Sequence, residues 1–329
     1  MPGLPATPDS NAHPVSFQAV VRSGLPILGE GSMYERLRRD PAVEFDPHIA
    51  HAGLIYDPAS ARVMEETHRE YLDIGQKYSL PMVAATATWR ANAERISQSR
   101  FRNKAVNQDN VAFMRDICAS YGATATPIFV DAIVGPKGDA YRPQEAPGRV
   151  EAERFHAYQI EALAETDVDQ LIAMTLPAFG EALALATLMA QTAKPYMLSF
   201  VIRKNGRLLD GTPLRQVIEE IDATVAPPPA GYGVNCVHPR VFAAGLQTQG
   251  IIGTSLAERI FGLCANTSAR EPEELDGLDD LDTEDPESFA ASMWETYASA
   301  GSKYLGGCCG TSTAHIEAIA RRWSSQNRN

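Results

Sequence analysis

Short, continuously apolar runs separated by longer stretches of helical periodicity give this chain its rhythm. Eight runs read as strands: 25–30, 81–88, 126–135, 170–175, 196–202, 232–236, 260–266 and 303–309. Most are apolar at every position rather than at alternate ones, the pattern of parallel strands buried on both faces. Between them lie helical patterns. The stretch 57–79 places Asp57 to cap and Pro58 at the first helical position, with Ala61, Met64, His68, Tyr71 and Gly75 along one face. Others cover 106–121, 149–166, 178–192, 212–223, 238–248, 286–300 and 312–324. Eight strand–helix alternations predict a closed (β/α)8 barrel of TIM type in a single domain spanning 16–329, with a doubly wound open sheet as the competing architecture. The polar stretch 89–105 reads as an elaborated loop, and residues 1–15 as a loose N-terminal tail.

At 329 residues, 44% of them apolar, the chain has enough material for one large core. The net charge of −12 is concentrated: ten acidic side chains and no basic one fall within 271–287, so the remainder is near −2. That segment reads as a solvated acidic loop. Without a basic stripe, nucleic acid is not an expected partner. No run of about 18 apolar residues is present, and the first residues lack the basic flank and apolar stretch of a signal peptide. A protein of the cytoplasm with no membrane partner is expected, with a homo-oligomer left open.

Barrel chemistry gathers at the C-terminal ends of the strands. Those ends carry Glu30, Thr86, Thr88, Met174, Asn235, Cys236, Asn266, Cys308 and Cys309. Five cysteines (118, 236, 264, 308 and 309) are an odd number, which disfavours a disulfide framework. Three of them fall at strand ends, the number of protein ligands a catalytic zinc typically takes while keeping a fourth position open. Gly306, Gly307 and Gly310 give the backbone the freedom to turn two adjacent cysteines toward one ion. Buried apolar packing and a strained vicinal disulfide are the competing readings of Cys308 and Cys309. Cys118 and Cys264 are expected to be small buried residues.

Several motifs resemble those of the homocysteine S-methyltransferase family. "GVNC" (233–236) and "GGCCGTSTAHI" (306–316) look like its two zinc-binding motifs. "EGSMYERL" (30–37), "THREYLDIG" (67–75), "AATATWRAN" (84–92), "VGPKGDAY" (134–141), "SFVIRKNGRLLDGTPL" (199–214) and "CANTSA" (264–269) resemble further family elements in the same order. The resemblance spans roughly 25–324. It implies a (β/α)8 barrel, Zn2+ held by Cys236, Cys308 and Cys309, and methyl transfer from a small donor to a thiol. It also implies substrate contacts from Glu30, Gly31, Ser32, Thr86, Met174, Asn235 and Asn266. Donors of the betaine, S-methylmethionine or S-adenosylmethionine class would suit a chain with no added folate or corrinoid segment. Tyr34, Trp89, Phe261 and Trp294 are candidates to face a cationic donor by cation–π attraction.

Two positions depart from the family pattern. The first-strand aspartate is Glu30, and the fourth-strand glutamate that helps bind the amino group of homocysteine is Met174, followed by Thr175. A methionine cannot pair with an ammonium. The acceptor is therefore open between homocysteine, with Glu30 meeting the amino group, and a different thiol. A corrinoid protein partner and a non-catalytic zinc- or thiol-binding relative are further alternatives. Among the histidines, His68 is expected as a packing residue, His238 as a surface residue at a helix start, and His315 as a helix residue behind the cysteine turn.

Overall fold

The eight apolar runs form eight parallel strands that close on themselves. The computed structural model describes residues 16–122, 125–271, 274 and 283–326. Its strands are β1 (Ile27–Leu28), β2 (Met82–Ala85), β3 (Ile128–Val134), β4 (Gln170–Leu176), β5 (Tyr196–Phe200), β6 (Gly231–Val237), β7 (Ile260–Ala265) and β8 (Tyr304–Gly307). They follow chain order around a closed barrel, and the pairs Ile27 with Tyr304 and Leu28 with Leu305 join the last strand to the first. This is the (β/α)8 architecture. Most strand residues are buried on both faces, because helices cover the outside and side chains fill part of the inside.

The helices are α1 (Phe17–Ser23), α2 (Met33–Arg39), α3 (Pro58–Tyr78), α4 (Ala93–Gln98), α5 (Val106–Ala119), α6 (Arg149–Ala164), α7 (Phe179–Ala190), α8 (Leu214–Thr224), α9 (Pro239–Thr248), α10 (Pro286–Ala300) and α11 (Thr313–Gln326). Their starts follow from local chemistry. Asp57 accepts from the Ser60 amide ahead of Pro58, and Asp285 accepts from the amides of Glu287 and Ser288. The buried stripe of α3 is Met64, His68, Tyr71, Leu72 and Gly75, laid against the barrel.

Three expectations change. The first strand is two residues long rather than six, although Gly29 and Glu30 still make backbone hydrogen bonds to Leu305 and Gly307. The stretch 89–105 is not all loop: Asn92 caps α4 by accepting from the Arg95 amide at 3.0 Å. Two seven-residue helices, α1 and α2, went without a sequence signal. The expected tail at 1–15, and 272–273 and 275–282 of the acidic loop, lie outside the described residues.

Helix α1 seals the N-terminal end of the barrel. Phe17 and Val20 pack with Ile27, Val83, Phe129, Met197 and Phe261. The Phe17 ring meets Phe129 edge-on at 5.2 Å and Phe261 at 5.6 Å. Phe17→Ala removes a ring that closes the barrel floor, and we expect a loss of about 3 kcal/mol. Urea unfolding checks this; a change below about 1 kcal/mol would mean that the floor does not depend on α1.

Candidate thiol and metal centre

Cys236 stands where β6 breaks its ladder with β7. The register slips between Asn235 and Val237, and Cys236 takes φ of 57°, in the left-handed region that side chains disfavour. Asn266 holds this kink by donating to the Cys236 carbonyl at 2.9 Å. A second irregularity faces it. β4 slips against β5 between Ala173 and Leu176, and Thr175 has φ of 66°. The buried Asn235 amide bridges the two. Its oxygen accepts from the Thr175 amide at 3.0 Å and the Ser199 hydroxyl at 2.6 Å, and its nitrogen donates to Thr175 Oγ1 at 2.8 Å and Cys236 Sγ at 3.2 Å.

Cys308 and Cys309 lie in the turn between β8 and α11. The Cys308 amide donates to the Ala265 carbonyl at 2.7 Å, and the Thr311 hydroxyl donates to the Cys308 carbonyl at 2.6 Å. Gly310 completes the turn with φ of 82°. A methyl group on Gly307 would lie 2.3 Å from Thr311 Oγ1, so the tight loop has no room for one.

The two segments bring Cys236 Sγ to 2.9 Å from Cys308 Sγ, with Cys309 within hydrogen-bonding reach of Cys236. All three thiols are free. Hydrogen bonds from Cys308 and Cys309, helped by Tyr141 and Asn235, hold the Cys236 thiol well below its ordinary range against the opposing effect of burial. Their bonds to Cys236 push Cys308 and Cys309 up.

Among the described residues no set of three His, Cys, Asp or Glu side chains stands in ready metal-ligand geometry. The donor set nevertheless suits zinc. Three sulfurs converge from two strand ends, the soft donor set that zinc takes readily, and Cys236, Cys308 and Cys309 would hold it.

The remaining expected contacts ring this cluster. Glu30 is buried, one oxygen 2.5 Å from His68 Nδ1 and the other accepting from the Ala85 amide at 2.9 Å. Both oxygens are engaged within the protein. Gly31 lies under the Tyr71 ring, where a methyl group would come within 2.6 Å of the hydroxyl. The Ser32 amide donates to Thr311 Oγ1 at 3.1 Å. Thr86 Oγ1 meets Thr88 Oγ1 at 2.8 Å and accepts from the Ile133 amide, joining β2 to β3. Met174 lines a cavity of about 130 Å³ inside the barrel, together with Glu30, Ser199, Cys264 and Gly307.

A family model describing homocysteine S-methyltransferases matches residues 27–323. The chain belongs to the homocysteine S-methyltransferase family. It is 30% identical over 282 residues to the homocysteine S-methyltransferase of Escherichia coli, covering 79% of this chain and 84% of that one. It is also 30% identical to a selenocysteine Se-methyltransferase of Brassica oleracea, over 52% of this chain and 48% of that one. Crystal structures of the homocysteine methyltransferase MmuM from Escherichia coli share the fold. The oxidised and metallated forms superpose with TM-scores of 0.69 and 0.68 at 24% identity, over 91% of this chain and 96% of theirs.

Within this homocysteine S-methyltransferase fold the four candidate aromatics separate. Tyr34 stands beside Phe45 at 5.2 Å, His51 at 5.4 Å and Trp89 at 6.2 Å. The Arg90 guanidinium stacks 4.1 Å from the Trp89 ring, so one face of that ring already carries a cation. Phe261 lies in the sealed floor, and Trp294 packs on the outside against Tyr297 and Trp323. His238 is not a surface residue: it is buried, caps α9 by accepting from the Arg240 amide through Nδ1, and turns Nε2 to Glu284 at 2.9 Å. His315 contacts the same residue, through the Glu284 carbonyl. Cys264 donates to the Gly307 carbonyl at 3.0 Å, whereas Cys118 lies among helices and burial pushes it up to about 12. Tyr141, within the 134–141 motif, is a partner of Cys236 that the sequence does not signal, and His51 carries no sequence signal either.

His51 has an electrostatic consequence. Burial, reinforced by His68, pushes it down to about 3, so it stays neutral in the folded protein. The unfolded chain protonates it near 6.5. Between about 6.5 and 3 the unfolded state therefore binds more protons, and stability falls as pH falls, by up to about 1.4 kcal/mol per pH unit. His51→Gln should flatten the acid limb of a stability profile in that window. An unchanged slope would show that His51 is protonated in the fold.

Proposed function

We propose that this protein is a zinc-dependent S-methyltransferase that moves a methyl group from a small onium donor to homocysteine or a related thiol. The observation that carries this reading is the meeting of Cys236 and Cys308 at 2.9 Å, with Cys309 beside them, at the strand ends above an internal cavity. The relatives named as homocysteine and selenocysteine methyltransferases support the same chemistry.

Cys236, Cys308 and Cys309 would hold the ion. Bound zinc supplies the acidity that lets an entering thiol lose its proton at neutral pH, where a free thiol near 8.5 is mostly protonated. The acceptor sulfur then attacks the methyl carbon. A sulfur–carbon bond forms, the bond from that carbon to the donor's onium atom breaks, the donor leaves neutral, and the thiol proton passes to solvent. The chain's own residues orient the partners. Asn235 and Tyr141 hydrogen-bond the Cys236 sulfur and fix its direction, and alignment of nucleophile behind the methyl carbon supplies much of the rate. Tyr34, beside a neutral His51, offers an aromatic surface for the donor cation.

Met174 bears on the acceptor. It lines the cavity and supplies no charge for an ammonium, and Glu30 is already committed to His68 and Ala85. A methyl-transfer assay on zinc-loaded protein tests the proposal, with homocysteine against betaine, S-methylmethionine and S-adenosylmethionine. We expect turnover with at least one donor. Cys236→Ser should lose bound zinc and at least about 100-fold in turnover. Failure with homocysteine that Met174→Glu repairs would direct the search to other thiols. A zinc-loaded protein that neither binds nor methylates any thiol would overturn the proposal.

A further inference from the structure

The cavity below the sulfurs has a polar floor that the site described above does not use. Asp131 on β3 and Gln170 on β4 are register partners, and both side chains line the cavity. Asp131 is 1% exposed and Gln170 0%. Among the described residues, Asp131 Oδ1 and both polar atoms of the Gln170 amide lack a partner in full hydrogen-bond geometry, although the two side chains lie close enough for the amide to act on the carboxyl. Each such atom costs roughly 1–3 kcal/mol if nothing meets it. Three together inside a wall of Val83, Ala85, Ile172, Met197 and two glycines form a pocket built for a polar guest.

The same cavity is lined higher up by Met174, Ser199, Cys264 and Gly307, and Gly307 adjoins Cys308. Its volume of about 130 Å³ is several times the roughly 10–15 Å³ that one water needs on the same measure, and suits a short chain of heavy atoms. The unpartnered groups of the floor include two acceptors, a carboxyl oxygen and an amide oxygen. Burial raises the Asp131 carboxyl well above its usual range, opposed by the Gln170 amide and reinforced by Asp169 and Glu30. A guest cation would restore the charge.

Resting on the thiol-methyltransferase reading, we infer that this floor binds the amino end of the acceptor. An aminothiol enters with its sulfur toward Cys236, Cys308 and Cys309, and its ammonium meets Asp131 and the Gln170 carbonyl inside the barrel. Recognition thereby shifts from the C-terminal part of β4, where Met174 stands, to the middle of β3 and the start of β4.

The test uses the zinc-loaded full chain and two probes of matched length, 3-aminopropane-1-thiol and 1-propanethiol. Calorimetry gives their affinities, and methyl transfer gives kcat and KM separately. We expect the wild type to favour the aminothiol at least tenfold, and Asp131→Asn to bring that ratio close to one through KM. Gln170→Leu should reduce the ratio in the same direction, and serves as the test if Asp131→Asn does not fold. Equal affinities in the wild type would mean that the pocket holds only water, and a preference that survives both substitutions would place amine recognition elsewhere. Either result overturns the inference while leaving methyl transfer intact. Absence of binding by both thiols would instead overturn the thiol-methyltransferase reading, and this inference with it.

Discussion

The left-handed backbone at Cys236 is the constraint on which the mouth of this barrel depends. An ordinary β conformation there would keep the strand in register and point the sulfur elsewhere. The kink costs roughly 1–2 kcal/mol, and Asn266 and Asn235 help to offset it by donating to the Cys236 carbonyl and sulfur. Because Asn235 also holds Thr175, the strained ends of β4 and β6 form one unit. Disturbing either would misplace a sulfur without touching it.

Around that unit the barrel supplies rigidity and the loops supply chemistry. Glu30 joins β1, the His68 of α3 and the Ala85 amide of β2 in a single buried junction. Thr311 ties the cysteine turn to Ser32 in the loop after β1. The Cys308–Cys309 turn is thus braced across the seam where the barrel closes. Such bracing helps to hold the three sulfurs near one another.

What could be read from the sequence, and what could not, divides along the range of the forces involved. Strands buried on both faces announce themselves as unbroken apolar runs, and Asp57–Pro58 marks a helix start by local chemistry alone. The helices α1 and α2 were missed because seven residues give too few turns for a periodic signal. His238 was misjudged because its partner, Glu284, is 46 residues away. Asp131 is instructive in another way. It interrupts the apolar run at 126–135, an anomaly visible in the sequence. Its pairing with Gln170 depends on the register of β3 against β4, which only the folded barrel supplies. The cysteine cluster was legible in position through the strand-end rule, whereas the kink that aims Cys236 had no sequence mark, since the residue concerned is not a glycine.

The Phe17 floor turns the barrel interior into a cul-de-sac. Phe17 and Val20 close that end with apolar packing, so a guest inside the barrel meets the strand ends at the other end, where the cysteines stand. A short helix at the opposite end of the protein, remote from every reacting atom, would in this way set the depth to which a guest can sink.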